Sequence, residues 1–489
     1  INDQPTLACT GATATHTEDA GAVSLYTLCT VGSGADSAGD AEDEDLASVV
    51  ITVTNVEDTA EILTIDGTAI TLATSSSGDT GTLGLAYAIT GCSNTCTVTL
   101  TAETGELTTE ELDALLEAMT YTNSDQSPST SSARVITVTT LDDEGSNVSP
   151  NDNTATLAVA ATITVAKVND APTASGAASL AALNEDATAT GATVNSLFGD
   201  TFSDTDGDSL GGICITSYDD DTAEGQWKYS TDAGTTWTAF NADISAASAG
   251  VFVNAADELA YDPAANWNGA ANTLTAVLVD SSGTEPSTAA TTDCSTTGTT
   301  TVYSTATVVL SHTITAVNDA PTASGSASLT ALAEDGTPST STTVTSLFNG
   351  GFSDSADAVT DGSSANTIEG ICITSYTEVS SEGQWKYSTD GSTFTAISSI
   401  SAASAGLEIE QGSRLHFAPA SNFNGAAATI TAVLIDSSVS VTTNSVADDC
   451  SYSATGEYST ATMTLSHTVT AVNDAPTASG SASLTALAE

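Results

Sequence analysis

The sequence predicts an all-β chain, a tandem array of antiparallel β-sandwich domains with one short helix in the first unit. Three observations carry that prediction. A phrase recurs at domain-sized steps: "INDQPT" at Ile1, "VNDAPTASG" at Val168 and "AVNDAPTASG" at Ala316 and Ala471, placing Asp3, Asp170, Asp319 and Asp474 at intervals of 167, 149 and 155 residues. Between the copies, β-branched and apolar residues alternate in short runs broken by Gly, Asp, Asn and Ser. Hydrophobic residues make up 40% of the chain, enough to fill several cores although the net charge is -57.

The repeats set the domain order. Residues 1–167 form a divergent first unit, 168–316 a second, 317–471 a third, and 472–489 the start of a fourth that is cut short. "GICITSY" (Gly212, Gly370), "EGQWKYSTD" (Glu224, Glu382) and "ISAASAG" (Ile244, Ile400) make the second and third units duplicates. The closing "SASLTALAE" repeats the residues before Asp335, so the chain reads as an excerpt of a longer array.

In the first unit, "SVVITVTNV", "CTVTLTAE" and "ARVITVTTL" read as strands, and "TTEELDALLEAM" as a helix. Thr108 and Glu111 have capping-box spacing, and Leu112, Leu115 and Leu116 form its apolar stripe. In the second unit, "GQWKYSTDAGTTWTAF" reads as a hairpin carrying Trp227, Tyr229 and Trp237. Those aromatics suit either packing or a carbohydrate platform. "TLTAVLVD" and "TATVVLSHTITAV" complete the unit as strands.

Composition excludes several functions. Five basic residues (Arg134, Lys167, Lys228, Lys386, Arg414) face 62 acids, which rules against nucleic acid and against a negative membrane surface. No apolar run is long enough to insert in a bilayer, so no direct membrane insertion is expected of this fragment. "GDSL" at Gly207 echoes a lipase signature but lies inside an acidic loop without a partnering Asp-x-x-His, and His312 and His467 sit at matching places in duplicated strands. No enzyme is expected.

The borders "VNDAP", the "ED" that follows, "FSDTDGDSL" and "YDPAANWNGAANTLTAVLVD" resemble the tandem cadherin-like repeats of very large cell-surface proteins, including the VCBS-type adhesin repeats. The resemblance covers nearly the whole chain and implies Ig/cadherin-like sandwiches in an extracellular stalk, adhesin or appendage.

Within that frame the recurring acids acquire a role. Each border sets Asn and Asp before a Pro that holds the linker extended: Asp3, then Asn169 and Asp170, then Asn318 and Asp319. About fifteen residues on come Glu18 and Asp19, Glu185 and Asp186, Glu334 and Asp335; acidic loops follow, with Asp204, Asp206 and Asp208, with Asp354 and Asp357, and with the run Asp40, Glu42, Asp43, Glu44 and Asp45. If loop and linker share a pole, carboxylates meet where units join and need a cation. Hard oxygen ligands in that number suit Ca²⁺, the one cofactor expected. Turn formation and solvation are the alternative use of the same residues. Asp142, Asp280 and Asp436, at the ends of late strands, are further candidates for these poles.

Cysteine placement points to disulfides. Cys214 with Cys294 and Cys372 with Cys450 are matched pairs 80 and 78 residues apart in the duplicated units. In the first unit Cys92 and Cys96 could close a hairpin, leaving Cys9 with Cys29, though three pairings are open. Paired cysteines imply an oxidising, extracellular location. The bacterial proteins that the chain resembles usually lack cysteine. Asn147 in "NVS" is the standard N-glycosylation acceptor. The expected partners are neighbouring repeats of the same long chain, then a homo-oligomeric filament in which the chain serves as shaft, or a surface glycan or protein ligand.

Overall fold

A computed structural model describes residues 4–32, 45–102, 107–145, 153–443 and 446–483. Its strands fall into three groups, and no sheet mixes strands from two of them. The chain is thus an array of antiparallel sandwiches.

The first group places a seven-stranded sheet, in the order Thr13–Thr17, Thr154–Ala166, Arg134–Asp143, Leu46–Thr54, Thr95–Thr101, Ala86–Thr90 and Ser77–Asp79, with a four-stranded sheet. Alternation decides which face is inside. Along Leu46–Thr54, Val49, Ile51 and Val53 are fully buried while their neighbours are partly open. The helix forms at Thr109–Ala118 with both halves of the Thr108–Glu111 capping box made, and buries Leu112, Leu115 and Leu116 in the same core.

The second and third groups share one topology, save that Ala192–Thr193 adds an edge strand to one sheet of the second. Each has a six-stranded sheet, with the central strand Leu210–Ser217 or Ile368–Ser375 between Gly250–Asn254 and Leu274–Asp280, or between Gly406–Glu410 and Ile430–Asp436. The facing sheets carry Trp227 and Trp385, both wholly buried, whose indole N–H groups donate to Asn272 O at 2.6 Å and Ala428 O at 2.7 Å. His312 and His467 pack beside them, 6.2 and 6.3 Å between ring centroids. Burial pushes the pKa of both histidines down.

Two short helices have no counterpart in the sequence reading: Val194–Phe198 and Val344–Phe348. Five residues are too few to show a 3.6-residue period. Each is started by a threonine hydroxyl (Thr193, Thr343) and held by a fully buried phenylalanine (Phe198, Phe348).

All eight cysteines are bridged: Cys9–Cys29, Cys92–Cys96, Cys214–Cys294 and Cys372–Cys450. The two long bridges pack on Gly250 and Gly406. A Cβ at Gly250 would stand 2.6 Å from both sulfurs, and one at Gly406 2.4 and 2.6 Å from its pair. Those glycines are there because the disulfides lie against the backbone.

Candidate metal centre at the seams between units

Each unit ends in a strand whose last residues pair in parallel with a short early strand of the same unit, Thr13–Thr17 with Thr154–Ala166 in the first and Leu183–Asn184 with Thr313–Thr315 in the second. The Glu that follows the early strand therefore stands beside the departing linker. Glu18 accepts from Val168 N at 2.9 Å, Glu185 from Val317 N at 2.6 Å and Glu334 from Val472 N at 2.7 Å. Its recurrence has a structural cause: it ties the outgoing linker to the unit being left.

The second carboxylate oxygen separates the units. Asn268 Nδ2 donates to Glu185 at 3.0 Å and Asn424 Nδ2 to Glu334 at 2.9 Å. Among the described residues Glu18 has no such asparagine. Its Oε1 is buried without a hydrogen-bond partner, and the residue is only 4% exposed.

The linker's Asn and Asp attach to the unit being entered. Asn169 Nδ2 donates to Asp280 at 3.2 Å and Asn318 Nδ2 to Asp436 at 3.2 Å, and both aspartates are fully buried at strand ends. Asp170 N donates to Asp206 Oδ2 at 2.6 Å, and Asp319 N to Asp357 Oδ1 at 3.0 Å. Asp142, by contrast, accepts from Ser48 within the first unit.

At the first seam, between the first and second units, these contacts gather the acids. Oxygens of Glu18, Asp170 and Asp206 lie within 4.8 Å of one another, and those of Asp204, Asp206 and Asp208 likewise. Among the described residues, three-carboxylate groups that close form at this seam only. Glu18 Oε1, Asn169 Oδ1 and Asp204 Oδ2 are buried without hydrogen-bond partners. Burial, and then the neighbouring aspartates, push the pKa values of Glu18 and Asp170 up, with Lys167 opposing the rise at Asp170; burial also raises Asp204. Charged oxygens held together and left unsatisfied are a donor set that fits a hard divalent cation such as Ca²⁺.

The second seam has a different loop. Asp354 and Asp357 take the places of Asp204 and Asp206, but several added residues follow, and Asn366 stands where Asp208 does: its N–H donates to Asp354 at 2.6 Å, as that of Asp208 donates to Asp204 at 3.2 Å. The Asn366 amide also donates to Asn318 Oδ1 at 2.8 Å and Asp357 Oδ2 at 3.0 Å, so the Asn318 oxygen is already engaged. Asp319 Oδ2 and Asp354 Oδ1 keep no hydrogen-bond partner, and burial raises the Asp354 carboxyl to about 6 and Asp319 in the same direction. The added residues reach back to the second unit, where Ser363 and Asn268 exchange hydrogen bonds of 2.7 and 2.8 Å.

The remaining candidates are placed less centrally. Asp19 accepts from Gln126 Nε2 at 3.0 Å, and Asp186 and Asp335 are exposed. Asp45 lends its backbone carbonyl to Glu144 N at 2.9 Å. Asp3, the rest of the run from Asp40 to Glu44, and Asn147 lie outside the described residues.

Two corrections to the sequence reading follow. The first seam does receive a basic residue: Lys167 Nζ lies 3.1 Å from Asp206 Oδ1 and donates to Asp206 O at 2.8 Å. A carbohydrate platform on the Trp hairpin loses Trp227, which is fully buried, while Trp237 is half-buried. The sequence reading also missed Arg134, wholly buried between Asp58 at 2.8 Å and Glu61 at 2.9 Å; its only signal was a lone Arg at the head of a strand of Val, Ile and Thr.

No family model matches the chain, and no curated protein matches it. Among solved structures it is similar to the protocadherin GammaB4 extracellular domain, at 13% identity and a TM-score of 0.41, over 96% of this chain and 51% of that one. It is also similar to the human desmocollin-1 ectodomain (10% identity, TM-score 0.21, 97% of this chain and 62% of that one) and to the titin I-band fragment I67–I69 (10%, 0.18, 96% and 99%). The chain spans about half the length of the protocadherin ectodomain. No helix among the described residues is long and apolar enough to cross a membrane.

Proposed function

We propose that the chain is a non-enzymatic extracellular spacer, a run of disulfide-stapled sandwiches stiffened by Ca²⁺ at the seams between them. The observation that carries this reading is the convergence of Glu18, from one unit, with Asp170 and Asp206, from the linker and the next, each a buried or half-buried acid. At about 4.8 Å each pair of like charges costs roughly 3–4 kcal/mol at an effective dielectric near 20. A bound divalent ion would supply the missing positive charge and join three segments of chain at one point. The chain's own part is to hold the oxygens in place: Glu18 by Val168 N–H, Asp206 by Asp170 N–H, Asn169 by Asp280. Four disulfides with no free thiol support an oxidising, extracellular setting.

Small-angle scattering of the chain in millimolar Ca²⁺ and in chelator tests the spacer. The maximum dimension should shorten and the ensemble broaden on chelation; an unchanged profile together with no Ca²⁺ uptake by calorimetry would remove the metal from the account.

A further inference from the structure

The two seams are equivalent in design but not in charge. At the first, the residue before the Val-Asn-Asp phrase is Lys167; at the second the same position is Ala316, and at the next border Ala471. The Lys167 ammonium reaches across the seam to the loop of the second unit, to Asp206 Oδ1 at 3.1 Å and Asp206 O at 2.8 Å, and the Asp206 side chain is wholly buried beneath it. Asp206 is the carboxylate shared by both three-acid groups, and it also accepts from Asp170 N. Ser127 Oγ, from the first unit, donates to Asp206 O at 3.1 Å, so the ammonium and the hydroxyl meet on one carbonyl. Among the described residues, no Lys or Arg forms an ion pair with Asp319, Asp354 or Asp357. There a neutral amide, Asn366 Nδ2, bridges the oxygens instead.

We propose that Lys167 is a tethered counter-cation of the first seam: it holds Asp206 and the linker together without metal, and it competes with a divalent ion for the same oxygens. Among the described residues the second seam has no such ammonium, so its order depends on what it binds and on the Ser363–Asn268 strut. The array would then contain one joint that keeps its order when Ca²⁺ falls and one that loosens. The competition half of this inference rests on the calcium reading; the tethering half does not.

The test uses the full chain, its Lys167→Met and Lys167→Arg variants, and the reciprocal Ala316→Lys. The first readout is amide hydrogen exchange in chelator, resolved to peptides covering residues 165–172 and 314–321. The parent should protect Val168 N–H better than Val317 N–H; Lys167→Met should abolish that advantage, Lys167→Arg retain it, and Ala316→Lys raise protection of the second linker. Exchange in Lys167→Met equal to the parent's would overturn the proposal, whatever the metal does. The second readout is calorimetric titration with CaCl₂. Removing a unit charge about 5 Å from a divalent ion should tighten binding at the first seam about tenfold under water-like screening. Parent and Lys167→Met isotherms that coincide, with Ca²⁺ plainly bound in both, would overturn the competition while leaving the calcium reading intact. Absence of binding in every variant would overturn the calcium reading and the competition, with the exchange result still deciding whether Lys167 is the tether.

Discussion

Replacing the border glutamates by glutamine should have opposite consequences at the two seams. Glu185 has both oxygens occupied, by Val317 N and Asn268 Nδ2. In Glu185→Gln one of those positions becomes an NH₂ facing a donor, so either the linker or Asn268 loses its acceptor, at a cost of about 1–3 kcal/mol for a buried group left unpaired. Glu18 has one oxygen occupied by Val168 N and the other unsatisfied beside Asp170 and Asp206. In Glu18→Gln the retained oxygen keeps Val168, and the new NH₂ points at carboxylates that can accept from it. Without metal the substitution removes like-charge repulsion worth between about 1 kcal/mol in water-like screening and about 3–4 kcal/mol at an effective dielectric near 20. Hydrogen exchange at the two linkers reads both effects locally, which global unfolding of three units would blur. In chelator, Val317 should exchange about 5- to 150-fold faster in Glu185→Gln when the linker is the side left without an acceptor, whereas Val168 should exchange at least fivefold more slowly in Glu18→Gln. In millimolar Ca²⁺ the Glu18→Gln advantage should vanish, because the substitution also removes a ligand. If Glu18→Gln loosens its linker in chelator as Glu185→Gln does, the unsatisfied oxygen is no repulsive centre and the reasoning fails.

Three further outcomes are expected. Gly250→Ala and Gly406→Ala should each destabilise their unit by about 1–3 kcal/mol, since the added carbon meets both disulfide sulfurs, and urea unfolding followed by the buried Trp227 or Trp385 would measure it. Opening Cys214–Cys294 by a double Ala substitution should cost the second unit about 2–5 kcal/mol in the same assay, with the third unit unaffected. Burial lowers the His312 pKa in the folded state, so its contribution is complete above the unfolded value of 6.5 and is lost as pH falls below it; His312→Gln should flatten the pH dependence of second-unit stability on the acid side of 6.5. An unchanged slope would mean that His312 is not buried in its neutral form.

Much of the fold could be read from the chain because it depends on local pattern. The Thr108–Glu111 box, the leucine stripe after it and the alternation along Leu46–Thr54 each fix an element without help from distant residues. Matching cysteines could be paired because the units are duplicates. The seam was legible only in composition. Glu18, Asp170 and Asp206 could be named as acids that meet, but not Asn268 and Asn424 as the partners that satisfy the other border glutamates, since those contacts span 83 and 90 residues. Asn366 was hidden by the longer loop, which shifts it out of register with Asp208. Lys167 was visible in the border phrase itself, yet a count of five basic residues concealed that one of them stands at the seam. Trp227 shows the same gap: a hairpin aromatic reads alike whether it faces solvent or, as here, donates from the core to Asn272 O.

The measurement that bears most directly on the account is an experimental density map of the first seam in millimolar Ca²⁺. The account predicts a metal peak about 2.3–2.6 Å from oxygens of Glu18, Asp170 and Asp206, with the Lys167 ammonium displaced toward solvent. Carboxylates turned apart into solvent, with no peak between them and the linker disordered, would contradict it.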